Sequence, residues 1–152
     1  YCDTPEGVGV GIYYMQVLLN GLQPTASLYG TIAFLLYDLS LVRLSAVVPP
    51  GGPRGRATEL YVHGEGFLDC GVGQLVCVVG GAVVGTSGAV VGGERIPGLL
   101  LSPELLLCQL PATLAVGEHA VRVSLNNASA GTLVADALSY RVYEPPTVAR
   151  VA

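Results

Sequence analysis

Few side chains in this sequence could carry covalent or metal chemistry, and they stand apart from one another. The chain has four cysteines (Cys2, Cys70, Cys77, Cys108) and two histidines, His63 and His119. No Cys-x-x-Cys pair occurs, so a zinc site lacks its usual ligand spacing. Neither histidine has a Ser or Cys nucleophile motif or an acid near it in sequence to suggest a triad. His63 ends one predicted strand and His119 begins another, which marks both as surface or edge residues. Asp69, Asp136 and Glu144 are isolated, whereas a calcium loop needs clustered oxygens. Residues 7–11 and 80–85 are Gly-rich, but neither opens a helix after a parallel strand, so no helix N-terminus is offered to a phosphate. These residues predict a protein that is not an enzyme and holds no cofactor and no metal. Asn127-Ala128-Ser129 fits the N-glycosylation pattern in a predicted hairpin loop, with a turn-forming Asn as the alternative.

The elements that must position these side chains are strands. Apolar residues make up 51% of the 152 residues and charged residues 12%, with 21 Gly and 10 Pro to punctuate them, and mean hydropathy is +0.59. That composition belongs to buried β structure and not to a disordered chain. All seven basic residues are Arg and the net charge is −4. Without a basic cluster, counterion release has little to act on, so nucleic acid is excluded as a partner. The longest uncharged apolar runs, such as 75–85, fall short of the roughly 18 residues a membrane helix needs. No direct membrane insertion is therefore expected. The sequence opens at Tyr1 with no initiator Met or basic leader and reads as an interior piece of a larger protein.

The chain repeats itself. One uniform shift lays Cys2 on Cys108, Pro5 on Pro111, Gly11 on Gly117, Val17 on Val123, Asn20 on Asn126, Tyr37 on Tyr143 and Val42 on Val148. A repeat at domain length predicts tandem domains. Residues 1–38 read as the second half of a truncated domain, 39–145 as a complete one and 146–152 as the start of another. In the first piece, alternation predicts strands at 13–19 and 31–37, with Met15, Val17, Leu19, Ile32, Phe34 and Leu36 inward. Tyr14, Leu18, Leu35 and Tyr37 then face outward as an apolar surface available for contact. In the second piece, strands are expected at 41–48, 58–62, 75–79, 82–84, 89–91, 105–108, 119–125 and 137–143. A Pro/Gly turn is expected at 49–55, a Gly64-Glu65-Gly66-Phe67 loop with one aromatic plug, and a surface loop at 94–103. About seven short strands in roughly a hundred residues predict an all-β, immunoglobulin-like sandwich.

The motifs follow one another as a Val-rich first strand, Pro-Pro-Gly-Gly-Pro-Arg-Gly at 49–55, the run from Thr58 to Phe67, Leu-Val-Cys-Val-Val at 75–79, Leu106-Leu-Cys108-Gln-Leu-Pro111, Val121-Arg-Val-Ser-Leu-Asn126 and Leu138-Ser-Tyr-Arg-Val-Tyr143. In that order they resemble the IPT/TIG domain family. The likeness covers nearly all of 41–145, and 1–38 matches its second half. A single Gly replaces the Gly-Gly-Thr frequent after the proline turn, and the middle is unusually Gly-rich. The resemblance implies an early-set immunoglobulin-like sandwich in tandem repeats, as in algal and protist surface or flagellar proteins. In disulfide-bearing relatives the cysteines of these motifs pair, which implies a Cys77–Cys108 bridge. Two buried free thiols remain the alternative, decided by the redox compartment. Cys2 needs a partner elsewhere, and Cys70 is left over.

Two functions follow as expectations. The first is a structural and interaction module, in which tandem repeats with a short junction form a stiff spacer and docking surface in a larger assembly, ciliary or flagellar among the candidates. Its partners are other protein chains or neighbouring repeats. The second is a ligand-binding ectodomain repeat of a receptor-like membrane protein. Paired cysteine motifs and the Asn127 triplet favour the cell surface, ciliary surface included, over the axoneme.

Overall fold

The computed structural model describes residues 7–15, 18–19, 23–24, 32–84, 89–127 and 133–148; within these, the side chains of 18–19, 23–24, 82–84 and 89–91 are not described. The chain divides into two compact units, Tyr1–Asp38 and Leu39–Ala152.

In the first unit, β1 (Gly11–Met15) pairs antiparallel with β4 (Ile32–Leu36), and the two-residue strands β2 (Leu18–Leu19) and β3 (Gln23–Pro24) pair with each other. The predicted strand 13–19 therefore begins two residues earlier in the structure, at Gly11; Gln16, Val17, Asn20 and Thr31 lie outside the described residues.

The second unit carries β5 (Arg43–Val48), β6 (Gly51–Pro53), β7 (Thr58–Glu65), β8 (Val76–Val79), β9 (Ala82–Val84), β10 (Ala89–Val91), β11 (Glu94–Ser102), β12 (Leu105–Leu110), β13 (Gly117–Ser124) and β14 (Leu138–Tyr143). β9 and β10 form a separate two-stranded sheet, and the other eight strands form one ribbon, β5-β7-β12-β11-β8-β13-β14-β6. The ribbon becomes two layers because β11 changes partner along its length. Glu94 to Pro97 pair with β8, and Gly98 to Ser102 pair with β12. One layer is β5-β7-β12 with the second part of β11; the other is the first part of β11 with β8-β13-β14-β6.

The alternation of each strand decides which side is buried. β12 reads Leu-Leu-Leu-Cys-Gln-Leu and buries Leu106, Cys108 and Leu110, while β14 reads Leu-Ser-Tyr-Arg-Val-Tyr and buries Tyr140 and Val142. Leu60 and Val62 of β7, Val121 and Val123 of β13 and Phe67 in the loop after β7 add to it, each at most 1% exposed. Each such side chain contributes about 1.5–3 kcal/mol on burial, so the space between the layers is the stabilising core. The result is an all-β, immunoglobulin-like sandwich.

Two expectations are corrected. Residues 94–103 are not a surface loop: β11 occupies Glu94–Ser102, with Ile96 buried between the layers. Pro97 and Gly98 gave the stretch its loop-like look, yet they stand at the point where the strand exchanges one neighbour for another. A proline is tolerated there because the Gly98 amide, not that of residue 97, donates to the Leu75 carbonyl at 2.9 Å, and pairing with β12 begins only at Gly98, so the missing N–H leaves no ladder bond unmade. The Pro/Gly run 49–55 is likewise more than a turn. After a cis Val48–Pro49 peptide, Gly51–Pro53 form β6, parallel to Arg141–Tyr143 of β14. Glycine is needed here, since a Cβ on Gly51 would lie 2.6 Å from the Arg141 carbonyl oxygen.

Candidate interaction surface

Strands β8 and β12 never pair with each other, yet Cys77 and Cys108 are joined as a disulfide with their Cα atoms 6.4 Å apart. The crossing strand brings them together. On β11, Ile96 stands opposite Cys77 and Gly98 opposite Cys108. A Cβ on Gly98 would come within 3.5 Å of Cys108 Sγ and 3.1 Å of Leu75 Cγ. The glycine thus leaves space beside the bridge, which ties one layer to the other at the crossing. Cys70 is free and half-buried. Burial pushes its thiol pKa up, and the neighbouring Asp69 carboxylate adds to that. Cys2 lies outside the described residues.

The other candidate titratable groups stand apart from the bridge and from one another. Asp136 accepts the Leu44 amide at 3.0 Å, beside the irregularity between Leu44 and Ala46 in β5, so it satisfies a donor that the disturbed ladder leaves unpaired. His119 Nε2 lies 2.7 Å from the Ala115 carbonyl oxygen. His63 is exposed on β7 between Ala46 and Leu105, inside the strand and not at its end. Arg54 and Glu144 form an exposed ion pair at 2.9 Å. Arg122 Nη1 is buried without a hydrogen-bond partner; its residue stands opposite Val78 on β13. Among the described residues, no group of three or more His, Cys, Asp or Glu could hold a metal ion. No helix there is long and apolar enough to cross a membrane. A groove of about 360 Å³ runs between Asp69–Leu75 and Gly98–Leu100, and Asp69 is the titratable side chain lining it.

The outer face of the first layer is the distinctive surface. Cross-strand partners place Val48 beside Tyr61, Tyr61 beside Leu107 and Leu107 beside Leu99. Directly paired residues point to the same side, so these four form one apolar row across all four strands of the layer, about 14 Å long at the usual strand spacing. Val48 is 49% exposed and Leu99 58%; Tyr61 and Leu107 are half-buried. Ala46, His63 and Leu105 form the next row, and exposed Leu101 adjoins it. A signal for this face was present in the sequence. Leu99-Leu100-Leu101 and Leu105-Leu106-Leu107 are apolar at both parities, while a sandwich strand needs only one apolar side.

The surface expected in the first unit is less clear-cut. Tyr14 is 70% exposed, Leu35 and Tyr37 are half-buried and not the exposed pair expected, and the Leu18 side chain is not described. Leu35 stands opposite Ile12, which is itself 64% exposed. Met15 and Ile32, expected inward, are exposed. Asn127 is exposed in the turn after β13.

No curated protein matches the chain significantly. Similar solved structures include the Lin-41 filamin domain, at 12% identity and TM-score 0.41, covering 71% of this chain and 97% of that one. Another is a protein described as a phosphatase from Bacteroides thetaiotaomicron VPI-5482, at 19% identity and TM-score 0.40. That likeness covers 69% of this chain but only 19% of the other. The profile of the IPT/TIG domain matches residues 43–141. That match, running from β5 into β14 and spanning most of the sequence, places the chain in the IPT/TIG domain family.

Proposed function

We propose that the chain is a structural and interaction module whose repeats act as a stiff spacer and dock other protein domains through the open face of the first layer. The apolar row Val48–Tyr61–Leu107–Leu99 carries this reading, because a contiguous exposed apolar face marks a surface that another protein covers. The occupant that fits is a second IPT/TIG repeat presenting a flat sheet face of its own. Sedimentation of the chain over a range of concentrations tests it. Self-association that Leu99→Asp abolishes, with the melting temperature unchanged, is the expected result. A strictly monomeric chain would sink the docking reading. The spacer half is tested by small-angle scattering on two complete repeats, where freely jointed domains would refute stiffness.

A receptor-like ectodomain repeat at the cell surface, the ciliary surface included, is the second reading. The Cys77–Cys108 bridge favours it, since structural disulfides persist in oxidising compartments. Free thiols at both positions in the native protein would count against it.

A further inference from the structure

We propose that Asn127 is an N-glycosylation site. Asn127-Ala128-Ser129 has the Asn-x-Ser form with a residue other than Pro in the middle. The turn geometry adds what the triplet lacks. Asn127 is exposed and adopts φ +47°, alone among described non-glycine residues in having a positive φ. Its amide donates to the Gln74 carbonyl at 2.6 Å, and its own carbonyl accepts from Arg95 Nη1 at 3.5 Å. The backbone is therefore held on both sides. Its exposure puts the carboxamide within reach of an enzyme, while Ala128 and Ser129 lie outside the described residues.

The second observation is the bridge between Cys77 and Cys108, both fully buried. It fits a domain that folds in the oxidising lumen where secreted chains receive glycans. The donor class is an oligosaccharide carried on a lipid pyrophosphate. Asn127 Nδ2 forms a bond to the anomeric carbon as the bond from that carbon to the pyrophosphate oxygen breaks. The lipid pyrophosphate leaves with the electron pair, and the amide loses one proton to base, with no change of oxidation state. The first repeat has Gly21 at the matching position, so the modification singles out the second unit. Asn127 follows β13 in the second layer, whereas the apolar row lies on the first, so the glycan and the docking face belong to different layers. The inference stands independently of the docking reading.

Peptide mass spectrometry on the protein isolated from its own cells tests it, with and without peptide N-glycosidase in heavy-oxygen water. The expected result is a hexosamine-bearing peptide whose Asn127 converts to labelled Asp, with Asn126 unmodified as an internal control. Ser129→Ala should lose the glycan and keep the disulfide. A bare Asn127, whether the cysteines are oxidised or reduced, overturns the proposal. So does a glycan that survives Ser129→Ala.

Discussion

Cys77 and Cys108 lie on strands that share only a common neighbour, so their bond constrains the chain where the two layers join. The bridge closes a span of 31 residues, and a loop of that length is worth about 3–4 kcal/mol when the unfolded chain is constrained by it. Cys108→Ser should lower denaturant stability by that amount, and reduction of the parent protein should match it. An unchanged midpoint would mean the bridge adds nothing. Cys70 behaves oppositely. With its thiol pKa raised by burial and then by Asp69, less thiolate is present at mildly alkaline pH. Alkylation of Cys70 should therefore be slower than that of an exposed peptide thiol, and the gap should narrow as pH rises. Asp69→Asn should quicken it. Equal rates at all pH values would contradict the assigned environment.

Among the elements, the end of β7 shows how a short motif fixes a junction. A Cβ at Gly64 would collide with the Arg43 carbonyl oxygen and the Phe67 ring, and Gly66 sits at φ +74° with the Leu41 carbonyl 2.7 Å from where its Cβ would be. The Gly64 amide donates to the Glu104 carbonyl at 3.0 Å, and that of Phe67 to the Pro103 carbonyl at 2.9 Å. Phe67, 1% exposed, then closes the end of the core. Gly64→Ala should cost about 1–3 kcal/mol, as overpacking against backbone does. Gly98→Ala should cost less, because its nearest obstacle is the Leu75 side chain at 3.1 Å. Thermal unfolding of the two variants decides the order, and the reverse ranking would show that the β11 crossing is the tighter point.

At the scale of the whole molecule, the sequence repeat has a counterpart in backbone register. The shift that carries Cys2 to Cys108 carries every β1–β4 pair, from Gly11↔Leu36 to Met15↔Ile32, onto the β13–β14 pairs, from Gly117↔Val142 to Val121↔Leu138. The surroundings differ. Val121 is fully buried, whereas Met15 is 46% exposed, because β13 also pairs with β8 and β14 also pairs with β6. Among the described residues β1 and β4 form a sheet of two strands, and two strands by themselves are marginal in water. Amide hydrogen exchange should therefore find Gly11–Met15 near the unfolded rate while Leu106–Cys108 exchange only on global unfolding. Equal protection of the two segments would contradict this.

Periodicity by itself determined the strand type and most strand positions, because one buried side per strand leaves a period-two trace in the residue types. It placed Cys77 and Cys108 on separate strands of one domain. What it could not hold was pairing between strands distant in the chain. Pro97-Gly98 look like a loop locally, and only the exchange of β8 for β12 makes them a crossing. Gly51-Gly52-Pro53 look like a turn, and only β14 makes them a strand. The row Val48–Tyr61–Leu107–Leu99 draws one residue from each of four strands, so its continuity exists in no stretch of sequence and was decided by tertiary register alone.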